Sequence, residues 1–135
     1  MNDKGYLKQA IELSARSVEP VQCACALVKN GGVIAEAFNS QRADNIAVYH
    51  AEMKAVTLAN ERLGSRKLDG VTAYCSCEPC VMCLAALSLA QVERIVFSQT
   101  MREVSGGLPM GELDSAAFAQ RYLNFVPKLE RPVLS

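Results

Sequence analysis

The sequence predicts an α/β protein with three layers, in which helices cover both faces of a mixed sheet of about five strands. Two apolar segments near the amino terminus flank the turn residues Asn30-Gly31-Gly32, an arrangement typical of a β-hairpin. After residue 50, short segments rich in β-forming residues alternate with helical patterns, which indicates parallel strands joined by right-handed crossovers. A sheet that is antiparallel at one end and parallel at the other, with helices in its crossovers, favours three layers.

The elements are predicted from hydrophobic spacing and from the residues that begin or end each segment. Pro20 and Gly64 are expected to end the first and second helices, and Pro79 to open the third, because proline is favoured in the first turn of a helix. Asp114 is expected to cap the fourth helix. The expected helices cover residues 4–18, 50–63, 80–90 and 114–123, the strands cover 21–28, 33–38, 71–75 and 94–98, the loops cover 39–49 and 99–113, and Pro127 and Pro132 mark an extended tail.

Length and composition favour a single domain over residues 1–135. Half of the residues are hydrophobic and about a fifth are charged, which is typical of a compact globular protein with a real core. Fourteen basic residues balance fourteen acidic ones, so that the formal net charge is zero. Because phosphate neutralisation supplies most of the affinity of nucleic-acid-binding proteins, this balance argues against a nucleic-acid partner.

The sequence predicts a soluble cytoplasmic protein that makes no contact with a membrane. The amino terminus has no apolar stretch of signal-peptide character, and the most apolar segment, Val81 to Ala90, is about half the length needed to cross a bilayer. The chain contains six cysteines, four of them between residues 75 and 83. In a reducing compartment, such clustering indicates a metal site rather than disulfides.

Two short segments, each at the start of a predicted helix, carry residues that suggest chemistry. One is His50-Ala51-Glu52, and the other contains Cys80 and Cys83, which project from one helix face because they are three residues apart. Zinc accepts two thiolates and one imidazole while leaving a fourth position open for water. His50 is the only histidine in the chain. A site of this type would therefore use His50, Cys80 and Cys83, with one zinc ion per chain.

Glu52 is the candidate catalytic residue, because it follows His50 by two residues and can approach a zinc-activated water without binding the metal itself. A carboxylate in that position can take a proton from water, protonate a ring nitrogen, and later protonate departing ammonia. His-x-Glu followed by Pro-Cys-x-x-Cys is the signature of zinc-dependent deaminases. The co-occurrence of two unlike motifs in this order predicts a zinc-dependent hydrolytic deaminase.

Each motif alone has other interpretations. A Cys-x-x-Cys pair can be redox-active or can form half of a structural zinc site. Cys77, Cys80 and Cys83 also resemble part of a bacterial iron–sulfur run, but Leu87 stands where a fourth cysteine is needed. A structural zinc site would have four protein ligands and no adjacent carboxylate. A non-catalytic metal or redox protein is thus the alternative from another class, and the paired motifs favour catalytic zinc over it.

The passage from Tyr74 to Leu84, Tyr-Cys-Ser-Cys-Glu-Pro-Cys-Val-Met-Cys-Leu, resembles the cytidine deaminase-like superfamily, in its cytosine, guanine and tRNA-adenosine deaminase branch. The resemblance extends from about residue 21 to about residue 98 and implies the fold of that superfamily, a zinc cofactor and a homodimer. Asn39 lies where this branch has a pocket asparagine, eleven residues before the zinc histidine, so the resemblance implies that its amide contacts the base. The expected substrate contacts are Asn39, Tyr49, Ala51, Ser76, Cys77 and Glu78.

Two features bear on the substrate. Cys77, directly before Glu-Pro-Cys, is similar to guanine and small-base deaminases, whereas tRNA adenosine deaminases typically have leucine there. The usual Asp-Pro-Thr-Ala before the histidine is replaced by Ile46-Ala47-Val48-Tyr49, which would reshape the pocket wall. We therefore expect a free amino-substituted heterocycle as substrate: guanine, cytosine, isocytosine, or a related triazine or pterin. The alternative within the branch is a tRNA or nucleoside adenosine deaminase.

Overall fold

A mixed five-stranded sheet lies at the centre of the computed structural model, which describes residues 1–104 and 115–134. The strand order is β2-β1-β3-β4-β5. β1 is antiparallel to both of its neighbours, whereas β4 is parallel to β3 and to β5. The elements are α1 Asp3–Ser14, β1 Ala24–Lys29, β2 Gly32–Phe38, α2 Ala51–Leu63, β3 Val71–Cys77, α3 Val81–Leu89, β4 Arg94–Gln99, α4 Ser115–Tyr122 and β5 Lys128–Glu130.

Helices cover both faces of this sheet, which confirms the predicted three-layer architecture. Successive side chains of a strand point to opposite faces. In β3, Tyr74 packs with Tyr6 and Leu7 of α1, whereas Ala73 and Cys75 belong to the core on the other face. That second core contains alanines of α2 and leucines of α3. β1 is buried along nearly its whole length because it is a central strand covered on both faces.

The predicted hairpin is confirmed in detail. Lys29 pairs with Gly32, so that only Asn30 and Gly31 form the connection. Their φ angles are 51° and 76°. Two positive φ angles in a two-residue connection characterise the tight turns that match the twist of the flanking strands, and glycine and asparagine adopt them most readily.

The first helix and first strand are shorter than predicted. The spacing that included Val18 was misleading, since α1 ends at Ser14 and Val18 is 81% exposed. The backbone N–H groups of Arg16 and Ser17 bond to carbonyls three residues back, which tightens the chain after the helix. β1 begins at Ala24 rather than at residue 21, and just before it the N–H of Cys23 and the carbonyl of Val21 bond to the Asn39 side chain.

From α2 onward, the described elements follow the predicted order. Gly64 has φ 62° and its N–H bonds back into α2, as expected of a glycine that ends a helix. The predicted tail is extended, and its residues Lys128–Glu130 add the fifth strand beside β4. The predicted cap Asp114 and most of the loop 99–113 lie outside the described residues. In the described part of the chain, no helix has the length and apolarity that would be needed to cross a membrane.

Candidate active site

The candidate metal ligands lie where two helices begin beside the carboxyl end of β3. His50 is the N-cap of α2 and Cys80 is the N-cap of α3, both with extended backbone angles. Neither side chain caps its own helix, so each is free to turn toward a ligand. A helix amino terminus carries partial positive charge, which stabilises a thiolate at Cys80.

The three ligand atoms fit a zinc ion. The Nδ1 atom of His50 lies 3.6 Å from Sγ of Cys80 and 3.5 Å from Sγ of Cys83. All three atoms lie within 4.8 Å of one another. With bonds of about 2.3 Å to sulfur and about 2.0–2.1 Å to nitrogen, tetrahedral zinc would separate sulfur and nitrogen by about 3.5–3.6 Å. The observed spacing matches this value, and three protein ligands leave a fourth position for water or substrate.

The two ligand thiols share one hydrogen bond, which raises the pKa of Cys83 and favours the anionic form of Cys80. A hydrogen bond from Cys83 lowers the pKa of Cys80 to about 4. The hydrogen bond with Cys80 raises the pKa of His50, while burial acts against this shift. Cys80 is thus a thiolate at neutral pH, the form that binds zinc.

Glu52 lies in the first turn of α2 and is only 4% exposed. Burial raises the pKa of its carboxyl group to about 7, and a hydrogen bond with Cys83 partly opposes the shift. A carboxyl group with a pKa near 7 can both accept and donate a proton at neutral pH, which is the property required of a general acid–base group.

A cavity of about 350 Å³ opens beside these residues and falls in the size range of small-molecule sites. Four of the six predicted substrate contacts line it: Asn39, Ala51, Cys77 and Glu78. His50, Glu52 and Cys80 line it as well, so that two candidate metal ligands and the candidate proton carrier border the same cavity as the predicted substrate contacts.

The other two predicted contacts do not line this cavity. The ring of Tyr49 lies 5.7 Å from the ammonium of Lys54. Ser76 is buried, and its hydroxyl accepts the backbone N–H of Ala24 at 2.9 Å, which joins β3 to β1. Ser76 thus joins two strands of the sheet, and Tyr49 contacts a side chain of α2.

Asn39 reaches the pocket wall, but its amide is already engaged. Its Oδ1 accepts the backbone N–H of Cys23 at 3.0 Å, and its Nδ2 donates to the backbone carbonyl of Val21 at 2.6 Å. One N–H and one lone pair remain for a ligand, since an amide offers two donors and two acceptor sites. Asn39 therefore also has a structural role, since its amide holds the segment before β1.

Three further polar residues line the pocket and were not predicted: Glu19, Gln41 and Arg42. The carboxylate of Glu19 accepts the backbone N–H groups of Arg42 and Ala43 at 3.0 and 3.2 Å, which positions the loop after β2. The Oε1 atom of Gln41 is buried and is without a hydrogen-bond partner within the described part of the protein. The polarity of segment 39–49 was the only sequence signal for Gln41 and Arg42, and Glu19 had none.

Comparison with known proteins agrees with the geometry. Residues 1–99 match the family model of the cytidine and deoxycytidylate deaminase zinc-binding region. A tRNA-specific adenosine deaminase of Bacillus subtilis (strain 168) is 38% identical over 97 residues, which are 70% of this chain and 60% of that relative. A guanine deaminase of the same organism is 35% identical over 101 residues, covering 73% of this chain and 65% of that relative.

A solved structure from a study of A-to-I editing by tRNA:A34 deaminases superposes with a TM-score of 0.81 at 26% identity. The match covers 97% of this chain and 100% of that chain, and it confirms the deaminase fold. The family match spans more than two thirds of the chain and includes the His-x-Glu and Cys-x-x-Cys motifs that converge on one pocket. The chain therefore belongs to the cytidine and deoxycytidylate deaminase zinc-binding family.

Proposed function

We propose that this protein is a zinc-dependent hydrolytic deaminase of a free amino-substituted heterocycle of the guanine, cytosine, isocytosine, triazine or pterin type. The observation that carries the proposal is the position of the buried Glu52 carboxyl beside the ligand atoms of His50, Cys80 and Cys83, in the wall of a cavity of about 350 Å³. The alignment covers 60% of the length of the tRNA-specific relative, so its activity is not carried over to this chain directly.

The proton transfers are assigned to Glu52. His50, Cys80 and Cys83 would hold one zinc ion, which when bound supplies Lewis-acid activation of water. Glu52 takes the proton of the attacking water and gives it to a ring nitrogen of the substrate. It then takes the second proton of the added water from the hydroxyl group now on the substrate carbon and gives it to the amino group, which leaves as ammonia while the C–N bond breaks and the C=O bond forms. Its pKa of about 7 suits this sequence of steps, because the same group must bind and release a proton within one turnover.

Polar groups of the pocket wall would hold the heterocycle in place. The unpaired Oε1 of Gln41 can accept an N–H of the substrate, and the free N–H of Asn39 can donate to a ring carbonyl or nitrogen. A buried acceptor without a partner is costly in the ligand-free protein, so a substrate that satisfies it gains affinity.

The charge of the pocket supports a small substrate rather than a polynucleotide. Three acidic side chains line the cavity, Glu19, Glu52 and Glu78, and Arg42 is the one lysine or arginine among its lining residues. Nearby Lys54 donates to the carbonyl of Phe38 and to Ser40. RNA-binding sites draw much of their affinity from phosphates neutralised by basic groups, and the described part of the pocket offers few of them.

The second candidate is a tRNA adenosine deaminase. The observations that favour it are the 38% identity with the Bacillus tRNA-specific enzyme and the near-complete superposition on a structure from a study of tRNA:A34 deaminases. In that case a nucleotide of the anticodon would have to be turned out of its stack to enter the same cavity.

A substrate panel separates the two candidates. The zinc-loaded protein is incubated with free bases, nucleosides, triazines, pterins and a tRNA anticodon stem-loop, and both ammonia and the deaminated product are quantified. We expect turnover of at least one free heterocycle, with a rate that changes little between about 50 and 200 mM salt, a range in which phosphate-dependent binding weakens strongly.

The same panel can also contradict the proposed substrate class or the catalytic role itself. Deamination of the stem-loop without turnover of any free base would establish the second candidate. A zinc-loaded protein that releases ammonia from none of the compounds would favour a non-catalytic role. A homodimer is part of the proposal and is checked by light scattering of the zinc-loaded protein.

A further inference from the structure

Two thiols that take no part in the zinc site face each other in the pocket wall. The Sγ atoms of Cys23 and Cys77 lie 2.7 Å apart, and both residues line the cavity. They lie on adjacent antiparallel segments, because Cys25 pairs with Cys75 and the same register continued by two residues brings Cys23 opposite Cys77. The four residues form a ladder of two cysteine pairs on one face of the sheet.

We call Cys23 and Cys77 the outer pair and Cys25 and Cys75 the inner pair. The backbone around the outer pair is held in place from both sides. The N–H of Ala24 bonds to the Ser76 hydroxyl at 2.9 Å, directly beside the two cysteines. The Asn39 side chain bonds to the N–H of Cys23 on the opposite edge. The first contact joins the two segments independently of any bond between the sulfurs, and the second ties the Cys23 segment to the residue that follows β2.

The geometry is close to that of a disulfide. Opposed residues on antiparallel strands have Cα atoms about 4.5–5.5 Å apart, within the range of about 4.4–6.8 Å found for disulfides. The S–S bond is about 2.05 Å long, so the sulfurs of Cys23 and Cys77 would approach by about 0.7 Å. A movement of this size is within reach of small side-chain rotations, without a shift of the backbone.

Access distinguishes the outer pair from the inner one. Cys25 and Cys75 are both fully buried, and their sulfurs lie 3.8 Å apart. Cys23 is partly exposed, and the cavity reaches both it and Cys77. A small oxidant that enters the pocket therefore meets the outer pair first, and the inner pair serves as an internal comparison.

The two thiols are also unequal in reactivity. The hydrogen bond from Cys23 lowers the pKa of Cys77 and raises that of Cys23. Cys77 is accordingly the better thiolate and Cys23 the partner that completes the bond.

We propose that Cys23 and Cys77 are a reversible redox site in the wall of the pocket, oxidised to a disulfide by a hydroperoxide. The Cys77 thiolate attacks one oxygen of the peroxide, the O–O bond breaks, and the other oxygen leaves as water or an alcohol after taking up a proton. The resulting sulfenic acid is attacked by the sulfur of Cys23, which loses its proton as the S–S bond forms and water leaves. Two thiols are oxidised by two electrons and one peroxide is reduced.

The disulfide would alter substrate binding rather than zinc binding. It joins the segment that contains Val21 and Cys23 to the carboxyl end of β3, and both line the cavity. It also removes the thiol groups that the reduced pocket presents to a ligand. The zinc ligands lie on the starts of α2 and α3, outside the bridged segments.

The test uses the zinc-loaded protein and hydrogen peroxide at low molar excess, followed by catalase, alkylation of free thiols and mass spectrometry without reduction. We expect a protein that carries two fewer alkyl groups than the reduced protein and is lighter by two further hydrogen atoms, with a cross-link between tryptic peptides 17–29 and 68–94 that fragmentation assigns to Cys23 and Cys77. Zinc content should be unchanged, and dithiothreitol should restore the thiols.

Variants assign the cross-link and its effect. Cys23→Ala should abolish it, whereas Cys25→Ala, which disrupts the inner pair, should retain it. KM is measured with the substrate that the panel identifies. Oxidation should change this KM at least severalfold in the parent and in Cys25→Ala, and should leave the KM of Cys23→Ala unchanged.

Three results would overturn the proposal. The first is that the folded, zinc-loaded protein forms no bond between Cys23 and Cys77. The second is that peroxide oxidises Cys80 or Cys83 instead and zinc is lost, and the third is that the cross-linked enzyme has an unchanged KM. The cross-link is measured without any assay of turnover, so its outcome does not depend on the proposed substrate class.

Discussion

The Oδ1 atom of Asn39 accepts the backbone N–H of Cys23 over 3.0 Å, and thereby joins the end of β2 to the segment that precedes β1. The same amide donates to the carbonyl of Val21. The pattern predicts that β1 begins at residue 21, but there the N–H of Cys23 and the carbonyl of Val21 bond to this side chain, while the Cys23 carbonyl accepts the backbone N–H of Asn39. It also gives Asn39 a role that can be measured apart from catalysis.

Replacement of Asn39 by alanine should lower the free energy of unfolding by about 1–3 kcal/mol, because two backbone groups lose their partner. The variant should keep its zinc and should show a raised KM or a lowered turnover. Urea denaturation and steady-state kinetics measure the two effects. The matched control is Asn124→Ala, at an exposed position, where a change within about 0.5 kcal/mol is expected. Unchanged stability in Asn39→Ala would contradict the structural role.

The metal prediction concerns His50, Cys80 and Cys83. Alanine at any one of these positions should remove most of the zinc, since two remaining ligands hold zinc poorly. Metal content is measured by mass spectrometry of the purified protein, with close to one zinc per chain expected in the parent. Cys75→Ser and Cys77→Ser should retain the metal. Two metals per chain, or iron with sulfide, would show that the site has been assigned wrongly.

Glu52→Gln should retain zinc and fold but lose activity by at least about 10²–10⁴-fold, the contribution typical of a general acid–base group. Glutamine is close to glutamate in size and cannot transfer the proton. Circular dichroism and zinc content establish that the variant is intact before its turnover is measured. Substantial turnover in this variant would exclude Glu52 as the proton carrier.

Gln41→Leu separates a binding role from a structural one. Its Oε1 is buried without a partner, so leucine should leave the free energy of unfolding unchanged or raise it, while KM for the substrate rises. A drop in stability with unchanged KM would show that the amide serves the loop rather than the ligand. Thermal denaturation measures the stability of the variant, and steady-state kinetics on the same preparation measures its KM.

The ionised carboxylate of Asp3, at the amino terminus of α1, should stabilise the folded protein, and this stabilisation should be lost in acid. Asp3 bonds to Arg94 at 2.8 Å and accepts the Tyr74 hydroxyl at 2.6 Å, and the Arg94 hydrogen bond holds the pKa of Asp3 below 3.8. Its ionised form is therefore favoured in the folded protein. The stabilisation is present above pH 3.8 and is lost as the pH falls through the lowered pKa.

Asp3→Asn tests this contribution. Stability should decrease at pH 7 by less than about 1 kcal/mol, since the pair is partly exposed to solvent. The difference from the parent should disappear below the pKa of Asp3. The control is Asp69→Asn, at an exposed position, where a change within about 0.5 kcal/mol is expected. An equal loss at every pH would mean that packing rather than charge is responsible.

Local sequence patterns determined the hairpin, the two helix starts and the ligand set. Asn30 and Gly31 specify their turn through φ angles that few other residues adopt. Cys80 and Cys83 are neighbours on a helix whatever surrounds it, because the spacing of three residues brings them to one face. The single histidine left one choice for the third ligand, and the structure places it within 3.6 Å of both sulfurs.

Only the tertiary structure decided the pocket wall and the sheet edge. Glu19 and Cys23 line the cavity and contact residues distant in sequence, Arg42 and Cys77. Gln41 lines it as well, while Tyr49 beside the zinc histidine lies outside the lining. The tail becomes β5 because Lys128–Glu130 meet the free edge of β4, which their own sequence does not specify. Turns and helix faces depend on neighbouring residues, whereas a cavity depends on how separate segments pack against one another.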